Sequence, residues 1–197
     1  MIDWLNNLDH AWTLAINSVG AAGGLDGVAR FFSKVQVWYP LYAVVLALIY
    51  WRIGWKKGIV ATLALVLCVL GCDQGANFFK DVVFMRLRPC FDEWMIANGV
   101  HVIDHYPDGY FYGFFSGNAS NCFGFALLSS LLLSQDKRVN YWWYKVVIFI
   151  WAALVALSRI ICGKHFLGDI LVGAIFGLAV DYIIFLLYKF VCKKLAI

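Results

Sequence analysis

Charge is scarce in this chain. Of its 197 residues 14% are charged and 63% are hydrophobic, and the mean hydropathy is +0.77. A soluble domain of this length needs more polar surface. The composition therefore excludes an ordinary globular protein and points to one integral membrane domain over residues 1–197. The first residues do not read as a secretory leader: the N-terminus opens on Asp3 rather than Lys or Arg, and Asn6, Asn7, Asp9 and His10 interrupt any apolar stretch. The six cysteines form no C-x-x-C pair. Cys68 and Cys72 lie inside a hydrophobic run and Cys192 near the C-terminus, so they read as small apolar residues with free thiols; a disulfide through Cys90 is the minor alternative. No repeat or low-complexity tract is present.

What the chain has is five apolar runs, about 35–51, 58–79, 119–134, 142–160 and 168–192. At about 1.5 Å per residue, the run 58–79 is some 33 Å long and crosses a hydrocarbon layer alone, whereas 35–51 and 119–134 need flanking residues. Ahead of them, Trp4, Leu5, Leu8, Trp12, Ala15, Ile16 and Val19 recur at helical spacing over a polar back face. This pattern predicts a helix lying in the membrane interface within residues 1–27, anchored by Trp4 and Trp12 and broken at Gly20–Gly27. The expected fold is all-α: a polytopic membrane helix bundle of five to six membrane helices, counting the interfacial one. Gly173 and Gly177 form a G-x-x-x-G pair, which marks a close helix contact within the chain or, less readily, with a second copy in a homo-oligomer. Residues 90–115, the longest polar connection, read as an outer lid loop.

Loop charges orient the spans. Arg52, Lys56 and Lys57 follow the first, Lys137, Arg138 and Lys145 the third, and Lys193 and Lys194 the fifth. Alternate crossing puts all three clusters on one side, which the positive-inside rule makes cytoplasmic. Three polar knots then share the outer side: Lys80–Pro89 (KDVVFMRLRP), Ser116–Asn118 (SGN) and Ser158–Asp169 (SRIICGKHFLGD). Ionisable groups at membrane depth are costly, so their convergence indicates a site.

The residue types suit a phosphate. Lys80, Arg88 and Arg159 are three cations with few acids nearby, Arg offering a planar fork and Lys a point charge. Ser116–Gly117 precedes a helix start, where orphan N–H groups and the dipole favour an anion, Gly117 permits close approach and Ser116 adds a hydroxyl. His165 and Asp169 are four apart and share a helix face, so the carboxylate can orient the imidazole and leave its other nitrogen free. Each feature has a plainer reading alone: a capping His–Asp pair, cations snorkelling to headgroups, an N-cap at Ser116 or Asn118.

Together the knots resemble the signature of the type 2 phosphatidic acid phosphatase superfamily: a Lys…Arg-Pro motif, a Ser-Gly-His motif, and Ser-Arg-x5-His-x3-Asp. Ser158, Arg159, His165 and Asp169 meet every position of the third. The resemblance implies a bacterial membrane lipid phosphatase in the inner membrane with its site facing the periplasm. Its substrate would be undecaprenyl diphosphate, lipid A, phosphatidylglycerol phosphate or phosphatidic acid. It implies attack by His165 to give a phosphohistidine, orientation by Asp169, and phosphate binding by Lys80, Arg88, Ser116, Gly117 and Arg159. No cofactor, metal or nucleic-acid partner is implied.

Two departures stand out. Lys80 and Arg88 enclose seven residues where the family has six. One added residue turns a helix by about 100°, so a bulge or an unwound end must absorb it, and Arg86 becomes an auxiliary candidate beside Arg88. Asn118 stands where the family has the His that protonates the leaving oxygen. Asn cannot donate that proton, though it can hydrogen-bond a phosphate oxygen. The chain is then a slow or inactive form, a non-catalytic lipid-phosphate binder or transporter, or an enzyme with another donor, for which His101 and His105 are candidates.

Overall fold

The computed structural model describes residues 2–104 and 110–197. Among the described residues eight α-helices follow one another: α1 (Ile2–Ala22), α2 (Asp26–Ser33), α3 (Tyr39–Ile53), α4 (Trp55–Phe78), α5 (Glu93–Ala97), α6 (Gly117–Leu133), α7 (Trp142–Ile161) and α8 (Leu167–Lys194). The expected all-α bundle is present, with no strand among the described residues beyond an isolated bridge between Leu87 and Tyr112. The five apolar runs are α3, α4, α6, α7 and α8. Sequence periodicity missed α2, a short helix that starts on the last two residues of the Gly20–Gly27 stretch read as a break and runs up toward the first apolar run.

Among the described residues three helices are long and apolar enough to cross a membrane alone: Trp55–Val83, Trp142–Ile161 and Leu167–Lys194. Asp26–Ser33 and Val35–Ile53 pass as a fourth only as a pair, bent by 70°. The 17 residues of α6 span only about 25 Å. That helix is nonetheless the centre of the bundle, with α3, α4, α7 and α8 around it.

The packing is inside-out relative to a soluble protein. On α4 the buried stripe is Gly58, Ala61, Ala64, Cys68, Cys72 and Ala76, while Leu63, Val66 and Leu70 point outward. Small residues let helix backbones approach where lipid supplies no hydrophobic drive. Gly173 and Gly177 do the same on α8: both are buried against the Ser116 and Ser120 carbonyls of α6, so the pair serves a contact within the chain. All six cysteines are free and buried.

The two ends of the bundle differ in chemistry. At one end Arg52 reaches Asp136 at 2.6 Å, and Arg138 reaches it at 2.8 Å, so the α3–α4 corner and the α6–α7 loop lie together. At the opposite end the Ser116 amide donates to the Asp169 carbonyl (3.0 Å), joining the start of α6 to the start of α8. Both helices then run away from that end, carrying Lys193 and Lys194 to the side of Arg52 and Arg138.

Helix α1 departs from expectation. Its apolar residues Trp4, Leu5, Trp12 and Val19 are exposed, as an interfacial helix requires. Its polar stripe, expected to face water, is instead packed inward: His10, Thr13 and Asn17 are buried. Periodicity gives two faces but not which of them is inside, and in a membrane protein the polar face can be the inner one.

Candidate active site

The extra residue between Lys80 and Arg88 is absorbed in the backbone. After Phe78 the chain makes one π-turn over Phe79–Val83, with the Phe84 amide bonded to the Phe79 carbonyl at 2.7 Å. A π-turn takes up one residue more than an α-turn, and such turns concentrate at functional sites. The chain then straightens. Residues 86–88 pair with 111–113 through Arg88 N–Phe111 O and Gly113 N–Arg86 O, both 2.9 Å. That short ladder fixes Arg86, Arg88 and Gly113 side by side.

His165 stands in the turn between α7 and α8, fully enclosed. Its Nδ1 lies 3.0 Å from the carbonyl oxygen of Gly113 and its Nε2 3.0 Å from Arg88 Nη1. A carbonyl can only accept, so Nδ1 carries the hydrogen, and Nε2 bears the lone pair that meets the guanidinium. Burial, with the positive fields of Arg88, Arg159 and Lys80, holds the imidazole pKa well below its usual value. The ring is neutral, with the lone pair of Nε2 turned to the guanidinium.

Asp169 has a different task from the one expected. Its Oδ2 stands 3.6 Å from His165 Nδ1, outside hydrogen-bond range, and accepts from the Phe166 amide at 2.9 Å. Its Oδ1 meets Arg86 at 3.2 Å. The carboxylate closes the first turn of α8, while a backbone carbonyl orients the imidazole. Arg86 does not share the work of Arg88: it bridges Asp169 and Asp9 (2.7 Å) and lies 3.8 Å over the Phe166 ring.

Three side chains of α1 complete this corner. Asp9 accepts from the Gly168 amide at 2.8 Å and Thr13 from the Leu167 amide at 2.9 Å, capping α8 from outside. Asn17 donates to the carbonyls of His101, Ile160 and Ile161, at 2.8, 3.1 and 2.9 Å, and accepts from the His101 amide at 2.8 Å. The signal for this role was the spacing of Asp9, Thr13 and Asn17 along one face of α1.

The phosphate-binding candidates gather around the start of α6. Ser116 is its N-cap, accepting from Ala119 N at 3.4 Å, which leaves the Gly117 and Asn118 amides without an intrahelical acceptor. A methyl group placed on Gly117 would lie 3.9 Å from Lys80 Nζ and 3.6 Å from Asp73 Oδ1. Arg88 is 4% exposed and also donates to the Tyr110 and Lys164 carbonyls, at 2.9 and 3.0 Å. Arg159 is 7% exposed, and its Nη1 donates to the Ser33 hydroxyl on α2.

Asn118 faces a cavity of about 610 Å³ between α2, α3, α4 and α6. Trp38, Tyr42, Leu65, Val69 and Phe125 line its apolar length, and Ser33, Asp73, Asn118 and Asn121 its polar end. Of the two histidines offered as substitute acids, His101 is not among the residues that line it. His101 Nε2 is 3.0 Å from both oxygens of Asp26, and His105 lies outside the described residues. Donor atoms placed for a metal occur together in one group among the described residues, Cys68, Cys72 and Asp181 within 4.8 Å. That group is buried between α4 and α8, away from the cations.

Fold and site together define a membrane-embedded phosphatase. Residues 56–191 match the model of the PAP2 superfamily, and the chain belongs to that family. A lipid A 4'-phosphatase of Bacteroides thetaiotaomicron is 32% identical over 177 residues, 90% of this chain and 75% of that protein. One from Porphyromonas gingivalis is 31% identical over 166 residues, 84% of this chain and 67% of that protein. The crystal structure of a transmembrane PAP2-type phosphatidylglycerolphosphate phosphatase from Bacillus subtilis shares the fold with a TM-score of 0.66 at 19% identity, covering 96% of this chain and 87% of that one. Aquifex aeolicus LpxE follows at 0.59 and 21%, covering 88% and 92%. The chain is a lipid phosphatase of the membrane.

Proposed function

We propose that this phosphatase acts on lipid A of the bacterial inner membrane, from the periplasmic side, through a phosphohistidine on Nε2 of His165. The observation that carries the mechanism is the pair of contacts on that ring, Gly113 O on Nδ1 and Arg88 on Nε2. They fix the tautomer with its lone pair among cations. Phosphate oxygens displace the guanidinium from Nε2, and the same guanidinium then binds them with Lys80, Arg159, Ser116 and the Gly117 amide. Nε2 attacks phosphorus, the lipid hydroxyl departs, and water hydrolyses the phosphoenzyme.

The identity of the two curated relatives supports lipid A as the substrate. The apolar cavity ending at Asn118 supports a leaving group with acyl chains. The basic clusters at the far end support a periplasmic site. Purified protein given lipid A, phosphatidic acid, phosphatidylglycerol phosphate and undecaprenyl diphosphate should release phosphate fastest from lipid A, and vanadate should inhibit it. A clear preference for another headgroup overturns the substrate. Asn118 favours a second reading, a lipid-phosphate binder without turnover; tight binding with no phosphate release, even after Asn118→His, would establish it.

A further inference from the structure

We infer that Asp73 is the proton donor to the leaving oxygen of the phosphate ester. The inference rests on the phosphatase mechanism above. A lipid hydroxyl is a poor leaving group and departs only as it is protonated. The Asn118 carboxamide has no acid of usable strength, and no histidine among the described residues reaches the cavity. Asp73 is the one carboxyl among its described lining residues. It lies within a membrane span, where an ionisable side chain is costly unless it has a task.

Three observations place it. Asn121 donates to Asp73 Oδ1 at 2.6 Å, holding one oxygen and leaving the other for the proton. Oδ1 also lies 3.6 Å from the point where a methyl group on Gly117 would sit, and Lys80 Nζ lies 3.9 Å from it. The carboxyl thus borders the phosphate cradle. Finally, Asp73 is on the cavity side, whereas His165 is not among the lining residues. A lipid tail in that cavity puts the leaving oxygen toward Asp73 and phosphorus toward His165, the in-line order that displacement needs.

The proton count closes. The step starts with one proton held between the Asp73 carboxyl and the bound phosphate ester. His165 Nε2 forms the P–N bond, the P–O bond to the lipid breaks, and the leaving oxygen takes the Asp73 proton. In the second half Asp73, now a carboxylate, takes a proton from the attacking water. The new P–O bond forms and the P–N bond breaks, returning neutral His165 and protonated Asp73.

The test compares wild type and Asp73→Asn on two esters, lipid A and 4-nitrophenyl phosphate, whose nitrophenolate needs no acid to leave. The account expects about a 10²–10⁴-fold slower first turnover on lipid A and a little-changed first-turnover burst of nitrophenolate, since loss of the base slows only the later hydrolysis of the phosphoenzyme. Asn118→His in the Asp73→Asn background should restore lipid A turnover, and vanadate should raise the thermal midpoint of every variant equally, showing an intact site. An unchanged first turnover on lipid A, or an equal loss in the first turnover of both esters, overturns the assignment while leaving the phosphatase standing. A wild type with no turnover of any phosphate ester would contradict the mechanism and its acid together.

Discussion

His165 gives its Nδ1 hydrogen to the carbonyl of Gly113 at 3.0 Å, and Asp169, four residues on, stands off at 3.6 Å. The imidazole is therefore aimed by a backbone atom of a different segment. A methyl group on Gly113 would meet Arg88 Cγ at 3.0 Å, Asp169 Oδ2 at 3.4 Å and His165 Nδ1 at 3.6 Å. Gly113→Ala pushes on the imidazole and the Arg88 side chain at once. Phosphate release should fall by about 10²-fold, the scale of a 1 Å misplacement. An unchanged kcat in that variant would remove Gly113 from the account.

Asp169 serves the turn before it serves the ring. Asp169→Ala strips the acceptor from the Phe166 amide and a partner from Arg86. Leaving a buried donor unmet costs roughly 1–3 kcal/mol, so the thermal midpoint should drop together with the activity. A variant as stable as wild type but inactive would return Asp169 to the role of orienting the imidazole.

Burial first, then Arg88, Arg159 and Lys80, depress the pKa of His165. In the proposed mechanism the neutral ring attacks, so the acid limb of kcat/KM should lie below the usual histidine range near pH 6.5. The same shift governs stability. Above the unfolded pKa the folded protein keeps its full stability. As pH falls from about 6.5 toward the depressed folded value, the unfolded chain binds a proton that the folded one refuses, and stability declines. His165→Gln should flatten that part of the stability profile; a profile identical to wild type would mean a ring that titrates normally.

Much of this was legible in the sequence. Lys80, Arg88, Arg159, His165 and Asp169 stand out because ionisable side chains at the ends of apolar runs have few other reasons to be there. The added residue before Arg88 even called for a local bulge, and the π-turn at Phe79–Val83 supplies it. The backbone's contribution was not legible: Gly113 acts through a carbonyl that every residue has. Nor was the burial of the Asp9, Thr13 and Asn17 stripe, since an amphipathic pattern does not say which face lipid takes. Asp73 was hidden inside the second apolar run, where a single acid changes the mean hydropathy little.

Helix α1 should prove part of the site. Asn17 makes four hydrogen bonds and is fully buried, so Asn17→Leu leaves three carbonyls and an amide without it and should destabilise by at least ~2 kcal/mol. Asp9→Ala frees the Gly168 amide and one side of Arg86. It should lower phosphate release as well as the thermal midpoint. Full activity in Asp9→Ala would reduce α1 to a membrane anchor.

The most direct test of the central claim is the phosphoenzyme. Lipid A carrying a radiolabelled phosphate is mixed with the protein and quenched within a turnover. Wild type should yield a label that is stable to base, labile to acid and mapped to His165, and His165→Ala should yield none. Turnover without any such adduct, or a label on another residue, would contradict the mechanism proposed for this site.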